Sequence, residues 1–233
     1  MSFTLEKVVP WGRSFDEYVS MFSLSDTDLD KRILGCGDGP AGFNAKLTQR
    51  GGMVVSVDPI YQFSSEQIRA RIDETCKIVI DQTIKNQDEF VWNHIHSIDA
   101  LKKIRMKAME EFLNDFKTEN ERYVVGELPV LPFKNQEFDL ALCSHLLFLY
   151  SEQQSFNFHI GSIKELCRIA SEVRIFPLLE LGAKKSRHLD DVIQKLEESG
   201  YMCNIKKVSY EFQKGGNEML QVKSSNNGIN SDG

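Results

Sequence analysis

Residues 33–43, ILGCGDGPAGF, place four glycines and a proline in eleven positions. Glycine and proline weaken both helix and strand, so such a cluster marks a loop that needs their backbone freedom. What flanks the loop narrows the fold. KRILGC, before it, is a short apolar run that reads as a strand. PAGFNAKLTQR, after it, reads as a helix, with Pro40 suited to the first turn and Gly51-Gly52 stopping it after Arg50. MVVSVD is then a second strand, β-branched and apolar, ending at Asp58. Strand, glycine loop, helix and strand make a βαβ unit, whose right-handed crossover sets the two strands parallel.

A glycine turn between strand and helix brings backbone N–H groups and a helix N-terminus close to a ligand that is anionic or strongly accepting. An acid ending the next strand can accept hydrogen bonds from ribose hydroxyls. Asp58 stands roughly 20 residues beyond Gly37, the spacing such a pair requires. The unit therefore predicts a nucleoside-bearing cofactor. Residues 37–42 match G-x-G-x-x-G literally, which keeps a dinucleotide oxidoreductase open, although Pro40 removes one N–H that a pyrophosphate would use.

The rest of the chain extends the α/β pattern. SFDEYVSMF, 14–22, has helical spacing with Ser14 as N-cap. Residues 61–122 read as helices and are far longer than one crossover, so they form an insertion or lid. YVVGELPV and EFDLALCSH read as strands, FNFHIGSIKELCRIA as a helix and EVRIFPLLEL as a strand. HLDDVIQKLEESGY is an amphipathic helix capped at Gly200. NIKKVSYEFQ, the turn KGGN and EMLQVK form a closing hairpin that adds an antiparallel edge. The expected layout is one domain over 1–223, with an N-terminal helical cap at 1–29, the insertion at 61–122 and a disordered polar tail at 224–233.

Hydrophobic residues at 41% and charged residues at 27% suit a packed core, and a net charge of −6 argues against a broad nucleic-acid footprint. No apolar leader opens the chain, and LALCSHLLFLY is too short and interrupted to span a bilayer. Five cysteines, with no C-x-x-C pair, read as reduced thiols and a cytoplasmic location. His94 and His96 have no third clustered ligand, so no metal is expected.

Three motifs in order give the chain a family likeness. LGCGDG, VVSVDPIY and GELPVLPFKNQEFDLALCSHLL resemble the glycine loop, second strand and fourth-strand region of the class I S-adenosylmethionine-dependent methyltransferases, and the whole chain resembles an uncharacterised bacterial branch of them. The likeness covers about 30–60 and 123–220 and implies a three-layer Rossmann-like sandwich with a mostly parallel seven-stranded sheet. It implies S-adenosylmethionine as cofactor and a methyl acceptor, expected here to be a small molecule. On the matching positions it implies cofactor contacts from Gly35, Cys36, Gly37 and Asp38, from Asp58 and Pro59, from Glu127 and Leu128, and from Ser144. The chain departs from the pattern at Ile33, where the family carries an acid, and at Phe148-Leu149, where an acid–histidine pair is common.

Methyl transfer from a sulfonium needs alignment more than acid–base chemistry, so a missing dyad does not exclude turnover. His145, just past the fourth strand, is the candidate base or acceptor orienter. Arg13, before the first helix, is the candidate for the cofactor's carboxylate, and Trp11 and Tyr18 for pocket walls. Cys143 reads as a buried strand thiol. The basic runs at 102–107 and 183–188 read as solvated faces or as sites for a phosphate-bearing or acidic acceptor. A cofactor-binding module without turnover, and an RNA or protein methyltransferase, are the alternative readings.

Overall fold

The computed structural model describes residues 9–116 and 121–224. In chain order the strands are β1 (Arg32–Cys36), β2 (Met53–Val57), β3 (Tyr123–Val124), β4 (Phe138–Ser144), β5 (Ala170–Phe176), β6 (Leu179–Glu180), β7 (Lys184–Lys185), β8 (Tyr201–Lys207) and β9 (Glu218–Ser224). The helices are α1 (Phe15–Met21), α2 (Asp26–Leu29), α3 (Phe43–Gln49), α4 (Ser65–Lys85), α5 (Ile98–Phe116), α6 (Phe156–Ile169) and α7 (Leu189–Glu198). Seven strands form one sheet in the order β3-β2-β1-β4-β5-β9-β8, and β6 pairs with β7 in a separate ribbon. Neighbours in the large sheet are parallel except at β9, which runs antiparallel to both β5 and β8.

Alternating side chains explain the three layers. Leu34, Cys36, Ala141, Cys143, Val173 and Ile175 face α6 and α7. Ile33, Val54, Leu140 and Leu142 face α1 and α3. Both faces are buried, as a parallel sheet covered by helices on each side requires. The chain runs outward from β1 to β2 and β3, then returns to β4 on the other side. The ends of β1 and β4 therefore border the crevice where open α/β sheets hold ligands.

Several element limits differ from the sequence reading. The helix after the glycine loop begins at Phe43, with Gly42 as its N-cap, because Gly37 (φ +65°) and Gly39 (φ +51°) wind the loop left-handed through Pro40. The YVVGELPV strand is only Tyr123–Val124. EVRIFPLLEL divides after Phe176, where Pro177 has no N–H to donate, and continues as β6. The antiparallel strand is internal, and β8 is the edge. Ser224 still belongs to β9, while the rest of the expected tail lies outside the described residues.

Between β2 and β3 stand the long helices α4 and α5, with a core of their own built on Ile68, Ile72, Val79, Met109 and Phe112. Arg105 of α5, read from sequence as part of a solvated basic run, is 1% exposed and donates to Glu17 of α1. The Tyr210 hydroxyl donates to the same carboxylate at 2.9 Å. Burial alone would raise the Glu17 carboxyl, but the Arg105 charge and the Ser14 backbone hold it below its usual range. Glu17 also completes the capping box of α1 with Ser14. Glu17→Gln keeps that cap, since glutamine serves in it too, and removes only the charge. It should destabilise the fold by about 3–5 kcal/mol in urea unfolding at neutral pH, because buried guanidinium is left without its carboxylate.

Candidate functional site

The site grows from the glycine loop. Asp38 turns back beneath it: a Cβ on Gly35 would stand 2.0 Å from Asp38 Oδ2, so glycine there makes room for the carboxylate. The Tyr18 hydroxyl donates to Asp38 Oδ1 at 2.6 Å and the Ser56 hydroxyl to Oδ2 at 2.6 Å. Asp38 thus joins the loop to α1 and β2. Over the loop lies the segment 9–14. Gly42 N–H donates to the Arg13 carbonyl at 3.0 Å, and a Cβ on Gly12 would meet the Pro40 carbonyl at 2.1 Å.

Asp58, at the end of β2, accepts from Gly39 N–H at 2.9 Å and Ile60 N–H at 2.8 Å, one bond on each carboxylate oxygen. Each oxygen keeps a further lone pair. Burial pushes both Asp38 and Asp58 up to about 6, against hydrogen bonds that favour the charged form. Neither makes an ion pair among the described residues.

These groups border a cavity of about 560 Å³ at the carboxyl ends of β1, β2 and β4. Cys36, Gly37, Asp38, Asp58, Pro59, Glu127, Leu128, Ser144, His145 and Arg13 all line it, so nearly the whole expected set meets in one place. Gly35 is not in the lining and acts through Asp38. Gln67, Ile68 and Arg71 of α4 complete the opposite wall. The volume falls in the range of small-molecule and cofactor sites.

His145 stands in a left-handed conformation (φ +52°), uncommon outside glycine but one that histidine adopts more readily than most residues. Its N–H donates to the Phe176 carbonyl at 2.7 Å and its Nδ1 lies 2.9 Å from Ser144 Oγ. Burial, then the charges of Arg13 and Arg105, hold its pKa well below 6.5, so the ring is neutral at physiological pH.

A second, inner cavity of about 90 Å³ lies behind the first, and Val9, Trp11, Arg13 and His145 line both. Arg13 donates to the Trp11 carbonyl at 2.6 Å, while its Nε is buried without a partner. Burial and the Arg105 charge lower its pKa to about 10. The other groups that act on its charge are Tyr210, Glu17 and Tyr150. Arg105, Tyr150 and Tyr210 are walls of the inner cavity. Sequence reading missed the inner cavity. One signal was available: Arg105 falls on the apolar stripe Leu101, Ala108, Met109, Phe112 of α5. His94 and His96 are exposed, and no group of three His, Cys, Asp or Glu side chains suited to a metal occurs among the described residues.

No protein-family model matches the chain. Uncharacterized protein MJ0045 of Methanocaldococcus jannaschii is 36% identical over 224 residues, covering 94% of this chain and 97% of that one. It is archaeal, where the sequence likeness pointed to a bacterial branch. Solved structures similar to the chain include magnesium protoporphyrin IX methyltransferase (ChlM) from Synechocystis PCC 6803 with bound SAM, at 13% identity and TM-score 0.49, covering 91% of this chain and 78% of that one. A TehB-like SAM-dependent methyltransferase from Corynebacterium glutamicum ATCC 13032 aligns at 16% identity and TM-score 0.46, covering 89% and 86%.

The raised carboxyls can be observed directly. Carbon-13 titration of the ligand-free protein should give midpoints near 6 for Asp38 and Asp58, against a value below 3.8 for Asp139, which Arg32 holds down. A folded pKa above the unfolded one contributes stability below about 3.8 that is lost as pH rises through about 6. Midpoints near 4 for both would show that burial does not raise these carboxyls.

Proposed function

The chain belongs to the same family as protein MJ0045 of Methanocaldococcus jannaschii, and we propose that it is an S-adenosylmethionine-dependent methyltransferase acting on a small molecule. The observation that carries this reading is the acidic, unpaired character of the outer cavity at the sheet's crossover point. Asp38 is buried and Asp58 half-buried there, neither in an ion pair with the Arg13 and Arg71 that also line the cavity, beside Glu127 and a glycine loop. A ligand that brings ribose hydroxyls and positive charge fits this set of groups. A dinucleotide pyrophosphate, doubly anionic, does not.

In this reading Asp58 accepts both ribose hydroxyls with the lone pairs that Gly39 and Ile60 leave open. Pro59, Glu127 and Leu128 flank the adenine. Cys36, Gly37, Asp38 and Ser144 border the methionine end, next to His145. The helices within 61–122 cover the acceptor side as a lid that excludes water. S-adenosylmethionine held there would supply a methyl group on a sulfonium, with the neutral thioether as leaving group for an acceptor lone pair. His145, neutral because of its burial and cationic neighbours, takes the proton that an oxygen or nitrogen acceptor sheds. Its Nδ1 is engaged with Ser144, which leaves Nε2 for that task.

Asp58→Ala should weaken S-adenosylhomocysteine binding in calorimetry by about 1.5–3 kcal/mol for each charge-assisted hydrogen bond lost. Since the ionised carboxylate is the accepting form, wild-type affinity should decline as pH drops below about 6. Tight NADH binding with no response to S-adenosylhomocysteine would reject the methyltransferase reading.

His145→Ala should lower turnover about 10²–10⁴-fold with cofactor affinity nearly unchanged, measured as S-adenosylhomocysteine released in the presence of a metabolite extract. The acid limb of the wild-type rate should lie well below pH 6.5, because the ring stays neutral there. A change of less than about threefold in the variant would assign His145 to loop structure alone.

A further inference from the structure

The inner cavity differs from the outer one in both size and charge. Aromatic side chains, Phe90, Tyr150, Phe176, Tyr210 and Phe212, line it among aliphatic ones. Two guanidinium groups, Arg13 and Arg105, also line it. One carboxylate, Glu17, balances them, and it is bonded to Arg105. That leaves Arg13, half-buried with its Nε fully covered, as a positive charge in excess. Arg13 Nε and Arg105 Nε are both buried with no hydrogen-bond partner. A buried donor without an acceptor, on a cation without an anion, marks a place where a ligand's oxygen atoms belong.

We infer that the inner cavity is the acceptor site and that it takes a compact aromatic acid, whose carboxylate pairs with Arg13. The inference rests on the methyltransferase reading of the outer cavity. Arg13 then serves the acceptor rather than the cofactor's carboxylate, the role its place in the sequence suggested. The groups that act on its charge favour this: Arg105, Tyr210 and Tyr150 all border the inner cavity. Size follows from volume. At about 90 Å³ against about 560 Å³ for the outer cavity, the inner one suits a compact ligand of about a single ring. The shared wall places His145 and Arg13 together at the boundary, so the carboxylate is anchored there by Arg13 and a hydroxyl or ring N–H of the acid, whose proton goes to His145, is the group that bonds to the methyl carbon. The charges of the two cavities are complementary to the two ligands: acids around a cationic cofactor, a surplus cation around an anionic acceptor.

Benzoate and benzamide have nearly the same shape and differ in charge, so they test the inference as probes. Each is titrated by ligand-observed NMR into the full chain saturated with S-adenosylhomocysteine. Benzoate should bind at least tenfold tighter than benzamide. Arg13→Gln should abolish that preference and leave S-adenosylhomocysteine affinity within about twofold. Leu181→Trp, which fills the inner cavity, should lose both probes and keep S-adenosylhomocysteine. Benzamide binding as well as benzoate would overturn the anionic acceptor. A tenfold loss of S-adenosylhomocysteine affinity in Arg13→Gln would return Arg13 to the cofactor and overturn its pairing with the acceptor. If wild type fails to bind S-adenosylhomocysteine at all, the methyltransferase reading falls and the acceptor role with it. Benzoate titrated without S-adenosylhomocysteine then separates that failure from a cavity that holds no anion.

Discussion

The Glu17 carboxylate joins three parts of the chain that are far apart in sequence. It caps α1 from within, accepts from Arg105 of α5 and accepts from Tyr210 in the loop before β9. Those three elements enclose the space beside the carboxyl ends of β1 and β4. A sheet with helices on both faces fixes only where a crevice opens. Here the buried ion pair decides what closes it, because separating the elements would leave Glu17 or Arg105 in a medium that solvates neither. The arrangement of cap, insertion and C-terminal loop around the crevice therefore depends on one interaction made in the interior.

A second consequence is electrostatic. Arg105 is neutralised by Glu17, but Arg13 lies close enough to Arg105 to be lowered by its charge. The same two cations depress His145. On the other side of that histidine the charges reverse, with Asp38 and Asp58 raised by burial and unpaired. His145 thus stands between an acidic and a basic compartment. Its own neutrality follows from burial and the basic side. A histidine that remains uncharged can accept a proton without first losing one, at the expense of basicity. Such a compromise suits a reaction in which alignment supplies most of the acceleration.

The glycine loop, the strand-end acid and the mostly parallel sheet were legible in the sequence because each depends on local rules. Gly37 and Gly39 adopt positive φ, and Asp58 ends a β-branched strand at a fixed spacing from the loop. The helix start after the loop was misplaced because Pro40 is acceptable at a first turn by propensity, whereas the left-handed loop delays the helix to Phe43. Asp38 was legible as an acid in the loop but not as its internal brace, since Tyr18 and Ser56 reach it from elements fixed only by tertiary packing. Arg105 was obscured by its neighbours: Lys102, Lys103 and Lys107 suggest a solvated face, and only the apolar stripe on either side shows that this arginine points inward. The inner cavity was illegible altogether, as its walls come from the 9–14 segment, both insertion helices and the loops around 150, 180 and 212.

The same packing limits where the covering helices can move. α5 lies so close to α3 that a Cβ on Gly42 would stand 2.8 Å from the Ala108 carbonyl, and Arg105 ties it to α1. The link between α4 and α5 is joined to the C-terminal loop: Val91 N–H donates to the Phe212 carbonyl at 2.7 Å, Lys214 N–H to the Glu89 carbonyl at 2.9 Å, and Phe90 stacks on Phe212 at 4.8 Å. Displacing α5 exposes a buried ion pair, and displacing the link breaks backbone hydrogen bonds above the inner cavity. The start of α4 packs Ile68 and Ile72 against α5 and turns another side to the outer cavity. Phe63, 47% exposed, and Gln67 and Arg71 border the outer cavity from a segment whose capping bonds are largely its own. The exposed rim of the outer cavity is therefore Phe63, Gln67 and Arg71, while the inner cavity is bordered by elements that the Glu17 carboxylate keeps in place.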